Sequence, residues 1–269
     1  MTRLERLRVY PVKGLDGVDV DAARTLDGGT LAHDREFALL HSSGKVLNGK
    51  RTDRVHDLRT DFGPETGAFV VETPAGETER FVLPDDRERA ETWFSEFFEV
   101  DLTLERDDSR GFVDRREMGL SVLSTGSVEE IASWFEGMTP ESGRRRMRAN
   151  VEVSGVPAFW EDRFVSDEAP RFEIGSVEFE GLDSCGRCIV PARDPETGTE
   201  TPGFRERFVE QRAETFPEWA DPAAFDHHYA AMILARVVEG DNGSESGIGF
   251  PFWNDGSAPA VAIAVRAPE

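Results

Sequence analysis

Short apolar segments separated by turn residues dominate the first hundred residues of the chain, and this pattern most limits what the chain can fold into. Residues 4–10 alternate between apolar and polar side chains and are followed by a proline. Similar short segments occupy residues 18–20, 35–40, 69–71 and 80–83, with glycine- or proline-containing turns between them. Alternation with a period of two, bounded by such turns, is typical of β-strands. This part of the chain is therefore predicted to consist mainly of short strands.

Helical periodicity is clear at two later places. After Asp86, which can cap a helix, five apolar side chains fall on one helical face: Ala90, Trp93, Phe94, Phe97 and Phe98. Ser127 and Glu130 have the spacing of a capping box, which predicts that a second helix begins at Ser127. Further strand-like segments follow at residues 120–123, 150–153 and 172–179. The residues therefore predict an α+β fold that is rich in β-structure.

The net charge of the chain limits the kinds of molecule that we expect it to bind. The formal net charge is −22, so its field repels nucleic acid and anionic membranes, and we expect neither as a partner. No apolar run approaches the roughly 18 residues of a transmembrane helix. The first residues, Met-Thr-Arg-Leu-Glu-Arg-Leu, lack the apolar core of a signal peptide. These features predict a cytoplasmic protein.

Acidic residues outnumber basic ones by 53 to 31, and Lys13, Lys45 and Lys50 are the only lysines. Such a surface suits concentrated salt, because counterions screen the repulsion between carboxylates. We therefore predict a halophilic protein that gains stability with salt. Equal resistance to unfolding at about 0.1 M and about 3 M salt, where screening is weak and strong, would contradict this hypothesis.

Both cysteines of the chain, Cys185 and Cys188, lie in one segment, with Arg187 beside the second. In a reducing compartment such a pair is more often metal-binding or redox-active than a disulfide. A structural zinc site needs four ligands. The sequence has no second cysteine pair, and the nearest histidines that follow, His227 and His228, are adjacent to each other. A thioredoxin-type dithiol opens a helix, whereas a strand and a turn are predicted after Cys188.

Two further interpretations of this pair are open. Free cysteine is often a small buried core residue without any chemistry. Alternatively, Cys188 is a reactive thiolate, because a neighbouring guanidinium such as that of Arg187 favours the ionised form. We favour the reactive thiolate.

Several basic residues fall next to turns or strand ends, at Lys13, Arg35, Arg148 and Arg187. Taken singly, each is more typical of a solvated surface charge. If they converge in the fold, they suit a phosphate-bearing anion, since arginine binds phosphate through a planar fork of donors.

Four short motifs carry a family resemblance, and each alone is weakly specific. In chain order they are Tyr10-Pro-Val-Lys-Gly14, His33-Asp-Arg-Glu-Phe37, Arg148-Ala-Asn-Val-Glu-Val-Ser-Gly155, and Cys185-Gly-Arg-Cys188 together with Asp194-Pro-Glu-Thr-Gly198. Together, over roughly residues 3–200, they resemble the MOSC proteins (molybdenum cofactor sulfurase C-terminal domain) that carry an N-terminal MOSC β-barrel domain. This group includes the mitochondrial amidoxime-reducing component and its bacterial relatives.

The resemblance implies a molybdenum cofactor, in which a pterin dithiolene and one protein thiolate hold the metal. Cys188 matches that thiolate, and a soft thiolate suits such a metal centre. Cys185 is interpreted as a neighbour rather than a ligand. The residues that fall where relatives hold the phosphate and pterin are Lys13, Gly14, Arg35, Ser124, Arg148, Asn150 and Arg187.

The resemblance also implies an architecture and an activity. We expect an N-terminal barrel-like β domain at residues 1–100, packed against a MOSC β-barrel at residues 101–269, with the cofactor between them. The implied activity is reduction of N-hydroxylated small molecules, or a related oxygen-atom transfer. No further cysteines are present for an iron–sulfur cluster, so electrons would come from an external reductase. The alternative is a carrier of sulfur or cofactor, using a Cys188 persulfide without turnover.

Overall fold

The computed structural model describes residues 2–26, 29–115, 118–166, 170–174, 177–238, 247–249 and 263–265, the last two ranges by their backbone alone. The strands in these ranges are β1 Arg3–Val9, β2 Val12–Lys13, β3 Val18–Asp19, β4 Ala22–Arg24, β5 Phe37–His41, β6 Arg59–Gly63, β7 Ala68–Glu72, β8 Thr78–Val82, β9 Leu102–Arg106, β10 Leu120–Ser124, β11 Val151–Ser154, β12 Arg171–Ile174, β13 Val177–Gly186, β14 Ala230–Val237, β15 Gly247–Gly249 and β16 Ile263–Val265. The helices are α1 Arg87–Phe98, α2 Thr125–Ser133, α3 Pro140–Met147 and α4 Phe204–Glu214. The predicted β-rich α+β class is confirmed.

The largest sheet has the strand order β16-β12-β13-β14-β10-β11-β1-β3. Its neighbours pair antiparallel except β10 and β11, which are parallel and are connected through α2 and α3. The pairing of β1 with β11 places Arg3 opposite Ser154, so the first strand of the chain completes a sheet built mostly from later residues. This pairing brings the N-terminal turns close to the end of α3.

Two three-stranded sheets, β2-β5-β9 and β6-β7-β8, and the pair β15-β4 complete the described strands. β9 follows α1 but pairs with β5, over the register Phe37 to Arg106 through His41 to Leu102. Strand pairing therefore joins residues before position 100 to residues after it. The predicted division of the chain at that residue stays a prediction.

Two buried apolar clusters form the core. The larger one packs the strands of the N-terminal part and the aromatic face of α1 against the large sheet. The smaller one lies between α2, α4 and β14, and includes Trp134, Met147, Phe208 and Met232. Met147 and Met232 also face the main cavity, so this second cluster supports the cavity from behind. No helix within the described ranges is long and apolar enough to cross a membrane.

The start of α2 differs from its prediction. The helix begins at Thr125, and Ser124 is its N-cap, with its side chain accepting a hydrogen bond from the Ser127 backbone N–H at 3.1 Å. The predicted cap at Ser127 was wrong by one turn. Both serines can cap a helix, and the end of β10 at Ser124 decides between them, because the chain leaves the strand there in an extended conformation.

Candidate functional site

A cavity of about 610 Å³ opens where six parts of the chain meet. They are the end of β2, the turn before β5, the loop at residues 48–56, the segment before β10, the end of α3, and the end of β13 with the turn after it. Among the described residues, nine cationic side chains line this cavity, against a single carboxylate. In a chain of net charge −22, such a concentration of positive charge marks a binding site for an anion.

Arg35 and Arg148 lie over the same aromatic ring. Their guanidinium carbons are 4.8 Å and 4.1 Å from the centre of the Tyr10 ring. Both residues have left-handed backbones, with φ of +54° and +59°, a conformation uncommon outside glycine. Such strain persists where surrounding structure enforces it, often at functional sites. Here, the Arg35 N–H donates to the Tyr10 carbonyl at 2.7 Å, and Arg148 ends α3.

The two arginines differ in how their charge is balanced. Arg35 donates to the Asp34 carboxylate. The side chain of Arg148 has no carboxylate or hydrogen-bond partner among the described residues, and burial and the nearby Arg35 lower its pKa. An unpaired guanidinium at a cavity wall is poorly compensated, so binding of an anion there would be favourable.

The single carboxylate of the cavity, Asp114, bridges two lysines. It accepts from Lys13 and, at 2.8 Å, from Lys50. Although burial acts to raise it, these two hydrogen bonds hold the pKa of Asp114 well below its usual range. Asp114 is therefore ionised at neutral pH, and it joins the segment before β10 to the end of β2 and to the loop that holds Lys50.

Both thiols line the cavity, and both are free and partly exposed. The structure corrects the expected role of Arg187, whose Nη1 donates to the Cys185 sulfur at 3.2 Å, rather than to its neighbour Cys188. The chain is still extended here, since the Arg187 N–H donates to the Tyr229 carbonyl. Side chains two residues apart in an extended chain point to the same side, which places Arg187 with Cys185.

Cys188 is held through its backbone. The Tyr229 hydroxyl donates to the Cys188 carbonyl at 3.0 Å, and burial raises the pKa of Tyr229 to about 12. This tyrosine is therefore a stable hydrogen-bond donor near neutral pH. Its contact anchors the turn that presents the Cys188 thiol to the cavity.

Two predicted cofactor residues line the cavity but have other local contacts. The Asn150 amide oxygen accepts from the Ser121 N–H and hydroxyl, and its nitrogen donates to the Arg8 carbonyl. Asn150 therefore joins β1, β10 and β11, and it positions Arg148 two residues earlier. Gly14 has φ of +96°, and a Cβ there would lie 3.0 Å from Asn48 Cα, so only its backbone can serve a ligand.

Ser124 is not brought to the cavity. It is fully buried as the cap of α2, and its hydroxyl lies 2.7 Å from that of Ser127. Its expected contact with the cofactor is therefore corrected to a structural role. The other predicted site residues converge on the one cavity: Lys13, Gly14, Arg35, Arg148, Asn150, Arg187 and Cys188.

Sequence reasoning missed several cavity residues, among them Lys50, His56, Asp114 and Arg193. His56 is half-buried, and burial followed by the charge of Arg148 lowers its pKa to about 4, so it is neutral at neutral pH. None of these residues belongs to a motif with a characteristic spacing. The excess of arginine near Cys188, which includes Arg193, was the one available signal.

The arrangement fits an anionic cofactor that carries its own metal ligands. Within the described residues, no group of three or more His, Cys, Asp or Glu side chains can hold a metal ion, which argues against the zinc interpretation. A thiol in a pocket of unpaired arginines can add one ligand to a metal held mainly by the cofactor. Cys188 would be that ligand, and Arg148 and Arg187 would face the negative groups.

Comparison with known proteins identifies the class of protein that this fold and cavity define. The family model for the MOSC N-terminal beta barrel domain matches residues 1–138, and that for the MOSC domain matches residues 111–230. The chain therefore belongs to the MOSC family, as predicted.

Individual relatives are distant. The chain is 24% identical over 232 residues to the molybdenum cofactor sulfurase of Oryza sativa subsp. japonica, covering 69% of this chain and 27% of that protein. It is 23% identical over 240 residues to the mitochondrial amidoxime reducing component 2 of Bos taurus, covering 72% and 67% of the two chains. The solved structure of the YUAD protein from Bacillus subtilis aligns over 93% of this chain and 92% of its own, with 15% identity and a TM-score of 0.38.

Proposed function

We propose that this protein is a molybdenum-cofactor-dependent oxidoreductase that reduces N-hydroxylated small molecules, with Cys188 as the protein ligand of the metal. The observation that carries the proposal is the placement of the Cys188 thiol in one cavity with Arg148 and Arg187, neither of which pairs with a carboxylate of the described chain. Belonging to the MOSC family and similarity to an amidoxime reducing component support it.

The residues of the chain would divide the work of binding. Arg148, stacked on Tyr10, and Arg187, fixed by the Met147 carbonyl at 2.9 Å, would neutralise the phosphate and pterin oxygens. The Asn150 contacts would hold Arg148 in its left-handed conformation. When bound, the cofactor would supply two-electron redox chemistry.

Reduction of an N-hydroxyl group breaks its N–O bond and consumes two electrons and two protons, releasing water. The electrons would come from an external reductase, and protons can enter through the open side of the cavity. Lys13 is a candidate proton donor in the cavity, because burial lowers its pKa despite the contact with Asp114.

A second candidate function is a carrier of sulfur or cofactor without turnover, in which Cys188 takes sulfane sulfur from a donor persulfide, holds it as a Cys188 persulfide and leaves the donor as a thiol. Similarity to a molybdenum cofactor sulfurase and the presence of two free thiols in one cavity favour it. The two candidates differ in whether metal remains bound and whether substrate is consumed.

Metal analysis of protein from a cofactor-competent host separates the two functions. For the oxidoreductase, the wild type should contain equimolar molybdenum and reduce an amidoxime with an artificial electron donor. Cys188→Ala should lose both, and the matched control Cys185→Ala should keep its molybdenum. Cyanide-releasable sulfur without molybdenum would identify the carrier. Equal loss of metal in both cysteine variants would contradict the role given to Cys188.

A further inference from the structure

Arg193 is a third unpaired arginine in the cavity, and no motif accounts for it. It follows the short helical turn Val190–Ala192 that begins two residues after Cys188. Its Nε donates to the Gly49 carbonyl and its Nη1 to the Gly198 carbonyl, both at 3.1 Å. Both partners are neutral. Within the described chain Arg193 has no carboxylate partner, and its Nη2 has no hydrogen-bond partner.

Gly49 packs closely between Arg193 and His56. A Cβ on Gly49 would lie 3.3 Å from both the His56 Nε2 and a Val190 methyl group. The His56 Nε2 is buried without a hydrogen-bond partner in the described residues. A glycine thus allows a neutral imidazole to pack close to the loop that holds the Arg193 guanidinium, and all of these residues line the cavity.

Most of the other cationic side chains of the cavity are neutralised by carboxylates of the protein. Arg115 pairs with Asp183, Arg146 with Asp194 at 3.1 Å, and Lys50 with Asp114. Arg145 pairs with both Asp16 and Glu196. Among the described cavity cations, Arg148, Arg187 and Arg193 remain without a carboxylate, and the first two are the proposed holders of the cofactor.

We infer that Arg193, beside His56, forms a binding site for an oxyanion carried by the substrate, a carboxylate or a phosphate. This inference rests on the proposed function, because it assigns Arg148 and Arg187 to the cofactor. Backbone contacts hold the Arg193 fork in place before the substrate arrives, so little conformational entropy is lost on binding. The preferred substrates are therefore N-hydroxylated compounds that carry a carboxylate or phosphate at the end opposite the N–O bond.

The test compares benzamidoxime with its 4-carboxylate analogue on the molybdenum-loaded protein. The wild type should prefer the carboxylate in kcat/KM. In Arg193→Gln the ratio of charged to neutral substrate should fall by roughly 10- to 100-fold, the value of a lost charged hydrogen bond. Arg193→Lys, which keeps the charge, should restore part of the ratio. The control Arg115→Gln, which removes a cavity cation already paired with Asp183, should keep the wild-type ratio.

Two readouts besides turnover separate this site from the cofactor site. Molybdenum content of Arg193→Gln should match that of the wild type, and loss of the metal would show that Arg193 holds the cofactor's phosphate instead, overturning the inference. In cofactor-free protein, benzoate and inorganic phosphate should shift the ring NMR signals of His56, and Arg193→Gln should weaken this binding at least tenfold. Unchanged ratios or unchanged shifts in Arg193→Gln would also overturn it. If the wild type holds no molybdenum, the proposed function fails, and the His56 titration alone decides whether the oxyanion site exists.

Discussion

Two arginines of this protein lie on aromatic rings in similar ways but differ in what neutralises them. Arg212 of α4 lies 3.9 Å from the centre of the Phe159 ring and is bonded to the buried Asp162 carboxylate. Arg148 lies 4.1 Å from the centre of the Tyr10 ring and has no carboxylate partner in the described chain. The first pair is sealed inside the core, whereas Arg148 faces the cavity.

The difference teaches how to distinguish a structural arginine from a binding one. A buried charge with a fixed counter-ion is part of the folded structure, and removing one of the two residues leaves the charge of the other buried and uncompensated. A charge held in place without a counter-ion adds little to stability and is available to a ligand. The comparison predicts that Arg212 variants lose stability and that Arg148 variants lose binding.

The largest expected effect is on Arg212. Arg212→Met should lower the free energy of unfolding by about 3 to 5 kcal/mol, because Asp162 is left buried without its partner. Urea unfolding measures this change. The double variant with Asp162→Leu should recover much of the loss. Arg205→Met, at an exposed position of the same helix, is the matched control, and an equal loss there would remove the distinction.

A smaller effect concerns the acid beside this pair. Burial and the adjacent Asp162 raise the pKa of Glu161 from 4.5 to about 7. The folded state then binds more protons than the unfolded state between these values, so this contribution to stability is present below about pH 4.5 and is lost as the pH rises through about 7.

Glu161→Gln removes this titration. Relative to the wild type, its free energy of unfolding should rise by roughly 2 to 3 kcal/mol between pH 4.5 and pH 8, following the size of the pKa shift. Urea unfolding as a function of pH measures the difference. Glu206→Gln, at an exposed position of α4, should show no such trend. A flat difference for Glu161→Gln would mean that this carboxyl is compensated inside the fold.

The smallest expected change in stability belongs to Arg148. Arg148→Met loses a cation–π contact but also removes the burial of an unpaired charge and its repulsion with Arg35, so the free energy of unfolding should change by less than about 1 kcal/mol. Inorganic phosphate should raise the Tm of the wild type more than that of the variant, which keeps Arg187 and Arg193. A loss as large as that of Arg212→Met would place Arg148 among the structural arginines.

Much of the fold was predictable because its signals are local. Alternating segments and the aromatic face after Asp86 gave the β-rich α+β class and α1. Boundaries were less secure, as Ser124 and Ser127 show, since both are acceptable caps and the end of β10 selects one of them. The pairing of β1 with β11 has no local signal, because the paired residues are far apart in sequence.

The candidate site was predictable only where residues belong to motifs. Lys13, Arg35 and Cys188 do, and they line the cavity. Arg187 also belongs to a motif, but adjacency in sequence suggested the wrong sulfur, because neighbouring side chains in an extended chain point to opposite sides. His56 and Arg193 enter the site through loops whose course depends on packing.

The amino-acid sequence by itself determined the periodicity of the strands and helices, the excess of negative charge, and a thiol with arginines nearby. Only the tertiary structure decided which of the positive side chains keep a carboxylate partner and which are left unpaired in the cavity. The physical reason is one of range. Backbone preferences act over a few residues, whereas charge compensation depends on distances between segments that are far apart in sequence and that strand pairing brings together.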